Sequence, residues 1–403
     1  MWKSQSILKS AKEVFFLVQH RHKFTGKTLV FNLPFFQVGK TTLTARAIFY
    51  DFSLLNEMRP LVEMKRLFST QVELPSDSTT PYLLVKSDLT HFYTKIKEEL
   101  RFNTSQDSLY NVSSYYFDGK GKAIRPVLII LMARAINKHL HLNCDLLQTQ
   151  KQVAAISEMI HAASLMHDDV IDQSNLRRGK PSVNWVWNQK QVAMAGDYIL
   201  AVASMMIARL RNDDVTITLS QFVTDLVKGE FMQLGSREVE GARFTHYLTK
   251  SYCKTASLIA NSLKAVAILG GADAKTTEIA YEYGRNIGIA FQLVDDLLDF
   301  TSSSVALGKP TTTDLKLGLC TAPVLFACEK FPELNCMIMR RFQEPGDVEK
   351  ALELVYNSDG LDETRYLAER YCLKATEKAE LIHESPYQQA LIVMCDQVIN
   401  RTK

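Results

Sequence analysis

The sequence predicts an all-α fold, on three observations. From about residue 81 to the C-terminus, apolar residues recur at helical spacing in segment after segment. Alternating strand patterns are scarce. The breaks carry turn chemistry, at Asp118-Gly119, Gly270-Gly271, Gly308-Lys309-Pro310 and Gly346. Together they predict one large single-domain helical bundle over 80–403, behind a basic leader over 1–69.

Helices are expected near 82–101, 126–137, 146–169, 188–210, 215–234, 247–269 and 276–300. Shorter ones follow, and the last covers 387–401. The leader is read from charge. Residues 1–66 hold eleven Lys and Arg against four Asp and Glu, a balance of +7 in a chain of 403 residues whose total is +3. The remainder is therefore mildly acidic, which argues against a general nucleic-acid role. A basic, acid-poor, Ser/Thr-containing leader reads as an organellar transit peptide. Arg66-Leu67-Phe68-Ser69 resembles the Arg-x-aromatic-Ser site cut on mitochondrial import; the plainer reading is a disordered basic tail. No apolar run is expected to approach the length of a membrane span. Seven scattered cysteines, with no Cys-x-x-Cys, read as reduced thiols and fit a mitochondrial matrix.

The segment 160–178 carries the first chemical signal, Asp168-Asp169-x-x-Asp172. On a helix Asp168 and Asp172 lie one turn apart on the same face. Carboxylates so placed repel unless a cation sits between them. Hard oxygen ligands suit Mg²⁺, which binds through one or two carboxylates and completes its shell with water and phosphate oxygens. Arg177 and Arg178 follow, suited to grip phosphate. The pattern returns at Asp295-Asp296-x-x-Asp299, three residues after Gln292. One copy is a weak signal, and either alone reads equally well as a solvated acidic helix end. Two copies, each closing an apolar helical run, are not so easily dismissed.

Cationic groups surround these motifs in the chain. Lys122 and Arg125 precede Pro126, which suits a first helical turn, so both flank a helix N-terminus that favours anions. Alone they would be an ordinary basic loop. His161 lies two turns before Asp168; it is a core histidine or a phosphate donor. Lys254-Thr255 sits inside a helical pattern, where a lysine normally snorkels to water. Lys309 lies in the Gly-Lys-Pro break.

In order, Gly-Lys-x-x-Arg-Pro, an aspartate-rich motif with Arg-Arg, Lys-Thr, Phe-Gln-x-x-Asp-Asp-x-x-Asp and Gly-Lys-Pro run over 119–316. This series resembles the trans-prenyl diphosphate synthases, and within them the long-chain members that make the ubiquinone side chain. The resemblance implies an isoprenoid-synthase bundle whose central cavity is lined by two aspartate-rich helices. It implies Mg²⁺ held by Asp168, Asp172 and Asp295, with Asp299 as weaker support. Arg177, Lys254 and Lys309 would hold an allylic diphosphate primer, farnesyl or geranylgeranyl, with Thr255 and Gln292 beside them. Lys122, Arg125, His161 and Arg178 would hold isopentenyl diphosphate. Ala163 and Ser164 would line the start of the tail channel and, being small, leave it open. Also implied are a hetero-oligomer, a heterotetramer with a second prenyl synthase subunit, and peripheral contact with the mitochondrial inner membrane.

Two departures stand out. Lys120 replaces the first glycine of a Gly-Gly pair. After Asp314-Leu-Lys-Leu-Gly318, Leu319-Cys320 stands where a basic residue is common, so one diphosphate contact is missing or falls to Lys316. Two rivals remain. A class I terpene cyclase would not need Lys122, Arg125 and Arg178, and a non-catalytic scaffold subunit would not need six intact aspartates.

Overall fold

The computed structural model describes residues 81–401 apart from 120, 141–144, 178, 236–239 and 302–311. The expected leader lies outside them, as do Arg178 and Lys309. The chain divides after Leu74, and everything below lies in the second unit, Pro75–Lys403.

The fold is all-α, as expected. Its main helices are α1 (Phe92–Phe102), α2 (Ile124–His139), α3 (Gln148–Ile171), α4 (Gln189–Arg209), α5 (Asp213–Gly235), α6 (Arg243–Ser251), α7 (Ser257–Leu269), α8 (Ala274–Thr301), α9 (Ala322–Lys330), α10 (Asp347–Tyr356), α11 (Gly360–Ala379) and α12 (Pro386–Ile399). Among the described residues the only strands are β1 (Leu176–Arg177) and β2 (Lys180–Pro181), a two-residue antiparallel ladder just after α3.

Three boundaries differ from expectation. The helix expected over 82–101 is broken: one-turn helices Pro81–Leu84 and Lys86–Leu89 precede α1, and His91 sits left-handed at φ 59°. α2 starts two residues before Pro126, which costs nothing, because the first turn has no partner for the missing N–H. The single helix expected over 247–269 is α6 and α7 joined by a π-helical turn, Tyr252–Ala256. Such insertions frequently mark functional sites.

α2 is buried on every side from Pro126 to Ala133, and is the hydrophobic axis of the bundle. Its one buried polar group, Asn137, exchanges two 2.9 Å hydrogen bonds with Gln150 of α3. Gln150 also donates to the Val266 carbonyl of α7 at 3.0 Å, so one satisfied pair ties three helices together. α8 packs closely enough on the π-turn and α7 that Cβ atoms at Gly288 and Gly284 would fall 2.6 and 2.7 Å from Ala256 Cα and Ala260 Cα. α4 amends one expectation: it is long and apolar enough, by length and composition, to cross a membrane. Val192, Ala195, Ile199, Val202, Ala203 and Met206 bury one face of it in the bundle, so it reads as a core helix.

Candidate active site

The first aspartate motif closes α3. Asp172 caps the helix, its N–H bonded to the Asp168 carbonyl at 2.8 Å, so the two side chains share a face as the spacing predicted. Asp169, between them, is fully buried and turns the other way. Its Oδ2 accepts from the Tyr116 hydroxyl, and its Oδ1 accepts from Arg177 Nε at 3.0 Å and Nη2 at 2.6 Å. Tyr116 in turn accepts the Val183 N–H at 3.1 Å. Arg177, expected on diphosphate, is thus held at the site by Asp169.

Asp168 and Asp172 share their surroundings with Glu230 of α5. Burial pushes the Asp168 carboxyl up to about 7; Lys254 and Arg177 pull it down, and Glu230 and Asp172 push it further up. Asp172 is raised as well, again chiefly by burial. Three carboxylates therefore compete for one ammonium group, Lys254, whose Nζ lies 2.6 Å from Glu230 Oε1 and donates to Gln233 Oε1 at 3.0 Å. Such a donor set is short of positive charge and long on hard oxygen, which fits Mg²⁺ or a similar cation. Among the described residues no three His, Cys, Asp or Glu side chains converge tightly enough to hold a metal by themselves. Phosphate oxygens of a substrate would complete the shell.

Lys254 reaches this cluster because Gly229 leaves it room: a Cβ there would sit 2.6 Å from Lys254 Cγ. The next residue on the π-turn faces the other motif. Thr255 donates to Gln292 Oε1 at 2.6 Å, and Gln292 Nε2 donates to Asp296 Oδ1 at 2.8 Å. The turn is the physical link between the two aspartate motifs.

In the second motif the three aspartates divide their roles. Asp296 is buried, its carboxyl raised to about 7 by burial first and Asp314 next, and it accepts from Tyr247 at 2.5 Å. Asp299 is 1% exposed, and its Oδ2 accepts the Asp314 N–H at 3.1 Å. Asp299 Oδ2 is thus engaged by the backbone beyond α8, and Oδ1 is the buried oxygen that would serve the expected supporting role toward a metal. Asp295 is the outward one, at 46% side-chain exposure, and it pairs with Arg401 Nη2 at 2.8 Å. The Arg401 guanidinium also lies 3.7 Å over the Phe291 ring.

The remaining expected residues are found as follows. Lys122 and Arg125 flank the N-terminus of α2, with Lys122 exposed. His161 is half-buried on α3, and its carbonyl accepts from the Ser164 hydroxyl at 2.8 Å. Ala163 and Ser164 are both buried. Sequence reading missed Tyr116, Glu230, Gln233, Tyr247 and Arg401. Tyr247 alone left a trace, standing two helical turns before Lys254.

The polyprenyl synthetase profile matches residues 106–355, which include both aspartate motifs and the π-turn. The chain belongs to the polyprenyl synthetase family. It is accordingly a prenyltransferase. Among its relatives, the human all trans-polyprenyl-diphosphate synthase PDSS1 is 53% identical over 325 residues, which cover 81% of this chain and 78% of that protein. A rice protein named solanesyl-diphosphate synthase 1, mitochondrial, is 39% identical over 80% of this chain and 79% of its own. A crystal structure of the Caulobacter crescentus polyprenyl synthase, complexed with calcium and isoprenyl diphosphate, superimposes with a TM-score of 0.72 at 28% identity. It covers 80% of this chain and 97% of that one.

Proposed function

We infer that this member of the family is a long-chain trans-polyprenyl diphosphate synthase. It lengthens an allylic diphosphate with isopentenyl diphosphate and supplies the ubiquinone side chain. The observation that carries the site assignment is the π-turn, whose adjacent residues Lys254 and Thr255 serve the two aspartate motifs. Mg²⁺ held by Asp168, Asp172 and Asp295 would supply the positive charge that stabilises the departing diphosphate. Lys254, Arg177 and Lys309 bind and orient that diphosphate. Lys122, Arg125, His161 and Arg178 hold isopentenyl diphosphate, whose double bond attacks the allylic carbon once the C–O bond has broken. The proton then lost passes to the departing diphosphate, so no dedicated protein base is needed. Ala163 and Ser164 leave the tail channel open, and the product is long.

The enzyme works in the mitochondrion after loss of a leader ending near Ser69, and sequencing the mature N-terminus checks this. α4 and α5 expose Met194, Met205, Ile217, Val227 and Phe231. These apolar groups support an oligomer, here proposed as a heterotetramer with a second prenyl synthase subunit. The deciding experiment incubates the purified chain, alone and with that subunit, with labelled isopentenyl diphosphate and an allylic primer, and sizes the products. Long prenyl chains are expected; no Mg²⁺-dependent incorporation in either arm sinks the reading.

A further inference from the structure

A second cationic cleft adjoins the aspartate cavity and shares Gln233 with it. α6 contributes Arg243, His246 and Lys250, spaced three and four residues apart and so on one helical face. Arg341 faces them from the other wall, with Gln233 and Cys320 at the sides. The cavity measures about 70 Å³, several times the room one water needs, and no carboxylate lines it among the described residues. Tyr247 stands between this cleft and the second aspartate motif: it lines the cleft while its hydroxyl donates to Asp296.

Among the described residues Arg243 lacks a counter-charge, and Lys250 has only the buried Asp296 carboxyl, which it pulls down without a direct ion pair. Arg243 is 7% exposed, yet its guanidinium bonds only the neutral side chain of Asn335 among the described residues. A buried guanidinium loses hydration that only an anion fully replaces. Lys250 is half-buried and makes no ion pair among the described residues; its nearest aromatic contact is the Tyr247 ring, 6.0 Å away. The opposite wall is built rather than loose. Gly318 takes φ +76° and presses against Arg341 so closely that a Cβ there would meet the Arg341 carbonyl at 3.0 Å.

We propose that this cleft binds a phosphate-class anion, inorganic phosphate or inorganic diphosphate, through Arg243 and Lys250, beside the aspartates but not lined by them. A planar guanidinium and a mobile ammonium on adjacent turns of one helix can share the oxygens of one phosphoryl group. The acids of the main cavity repel free phosphate when no metal is present, whereas this cleft needs none. That difference makes the site measurable without any prenyl substrate.

The test is calorimetric titration of the full chain in EDTA, with phosphate and diphosphate in separate arms, on wild type, Lys250→Ala and Lys122→Ala. Wild type is expected to bind at least one of the two saturably, and the tighter one names the occupant. Lys250→Ala should weaken that binding at least about tenfold, while Lys122→Ala leaves it unchanged. His246→Gln gives a second, milder loss should Lys250→Ala unfold. No saturable binding up to about 10 mM overturns the proposal. So does binding that survives Lys250→Ala or disappears with Lys122→Ala. The outcome is independent of prenyl transfer, which is read by product formation with metal.

Discussion

Asp168 and Asp169 are neighbours in the chain and occupy opposite environments. Asp169 has two firm donors and full burial, so it fixes the chain just past α3 and orients Arg177. Asp168 has burial without a hydrogen-bond donor of its own among the described residues, and carries its charge at a cost. Asp168→Ala or Asp295→Ala should lower Mg²⁺-dependent turnover by orders of magnitude, because each removes charge stabilisation specific to the transition state. Steady-state rates near wild type in either variant would rule out the roles assigned. A pH effect follows with a definite sign. Asp168 and Asp296 are both raised from about 3.8 to about 7. The folded chain then holds protons that the unfolded chain has lost, so metal-free stability should fall as pH rises through that window. Melting curves in EDTA should show the fall, and Asp168→Asn should flatten it. An unchanged slope would mean that Asp168 is better hydrated than its burial implies. Ala163→Tyr tests the tail channel. Truncated products support it, whereas full-length chains from a soluble, active variant refute it.

At the scale of elements, the π-turn is the device that matters. α6 and α7 would be one regular helix if the chain followed its apolar period. The extra residue re-aims Lys254 toward α3 and α5 while Thr255 keeps its bond to α8. Both flanking surfaces are shaved to glycine, Gly229 on α5 and Gly288 on α8. Gly229→Ala should therefore displace Lys254 rather than unfold the helix, since the clash is with a side chain and alanine suits a helix interior. The expected result is a melting temperature near wild type with turnover at least about tenfold lower. Normal turnover would show that Lys254 has another route to the site. Gly288→Ala meets the backbone of Ala256 instead, and should cost about 1–3 kcal/mol of stability by overpacking, read from denaturant melts.

Across the whole molecule, the last helix returns to the second aspartate motif. Tyr283, fully buried in α8, donates to the Leu391 carbonyl of α12 at 2.8 Å, which holds the two helices together. Arg401 then lies on Phe291 and pairs with Asp295, the aspartate that metal and diphosphate would also claim. Arg401→Ala should destabilise the metal-free enzyme by about 1 kcal/mol or more, from the lost ion pair and ring contact. Mg²⁺ with inorganic diphosphate should narrow that gap, because the bound ions take over the charge of Asp295. Equal losses of melting temperature with and without them would mean that Asp295 keeps Arg401 throughout.

The helices, and the two aspartate motifs that close α3 and α8, were decided by the sequence. Helical period and turn chemistry are local, so α2, α3, α4, α5 and α8 stand within about two residues of where the pattern puts them. The two aspartate motifs are local too: four-residue spacing brings Asp168 and Asp172 to one face on any regular helix. Which aspartate in each motif turns outward was not local. Asp169 is turned inward by Tyr116, 53 residues away, and Asp296 by Tyr247, 49 residues away. Arg401 meets Phe291 across 110 residues. The break at His91 and the π-turn at Tyr252–Ala256 likewise follow from packing, which can outweigh the small cost of leaving the regular helix. Hydrophobic period records that a face is buried, but it carries no information about the polar partner that burial will bring, and that partner was chosen only when distant helices met.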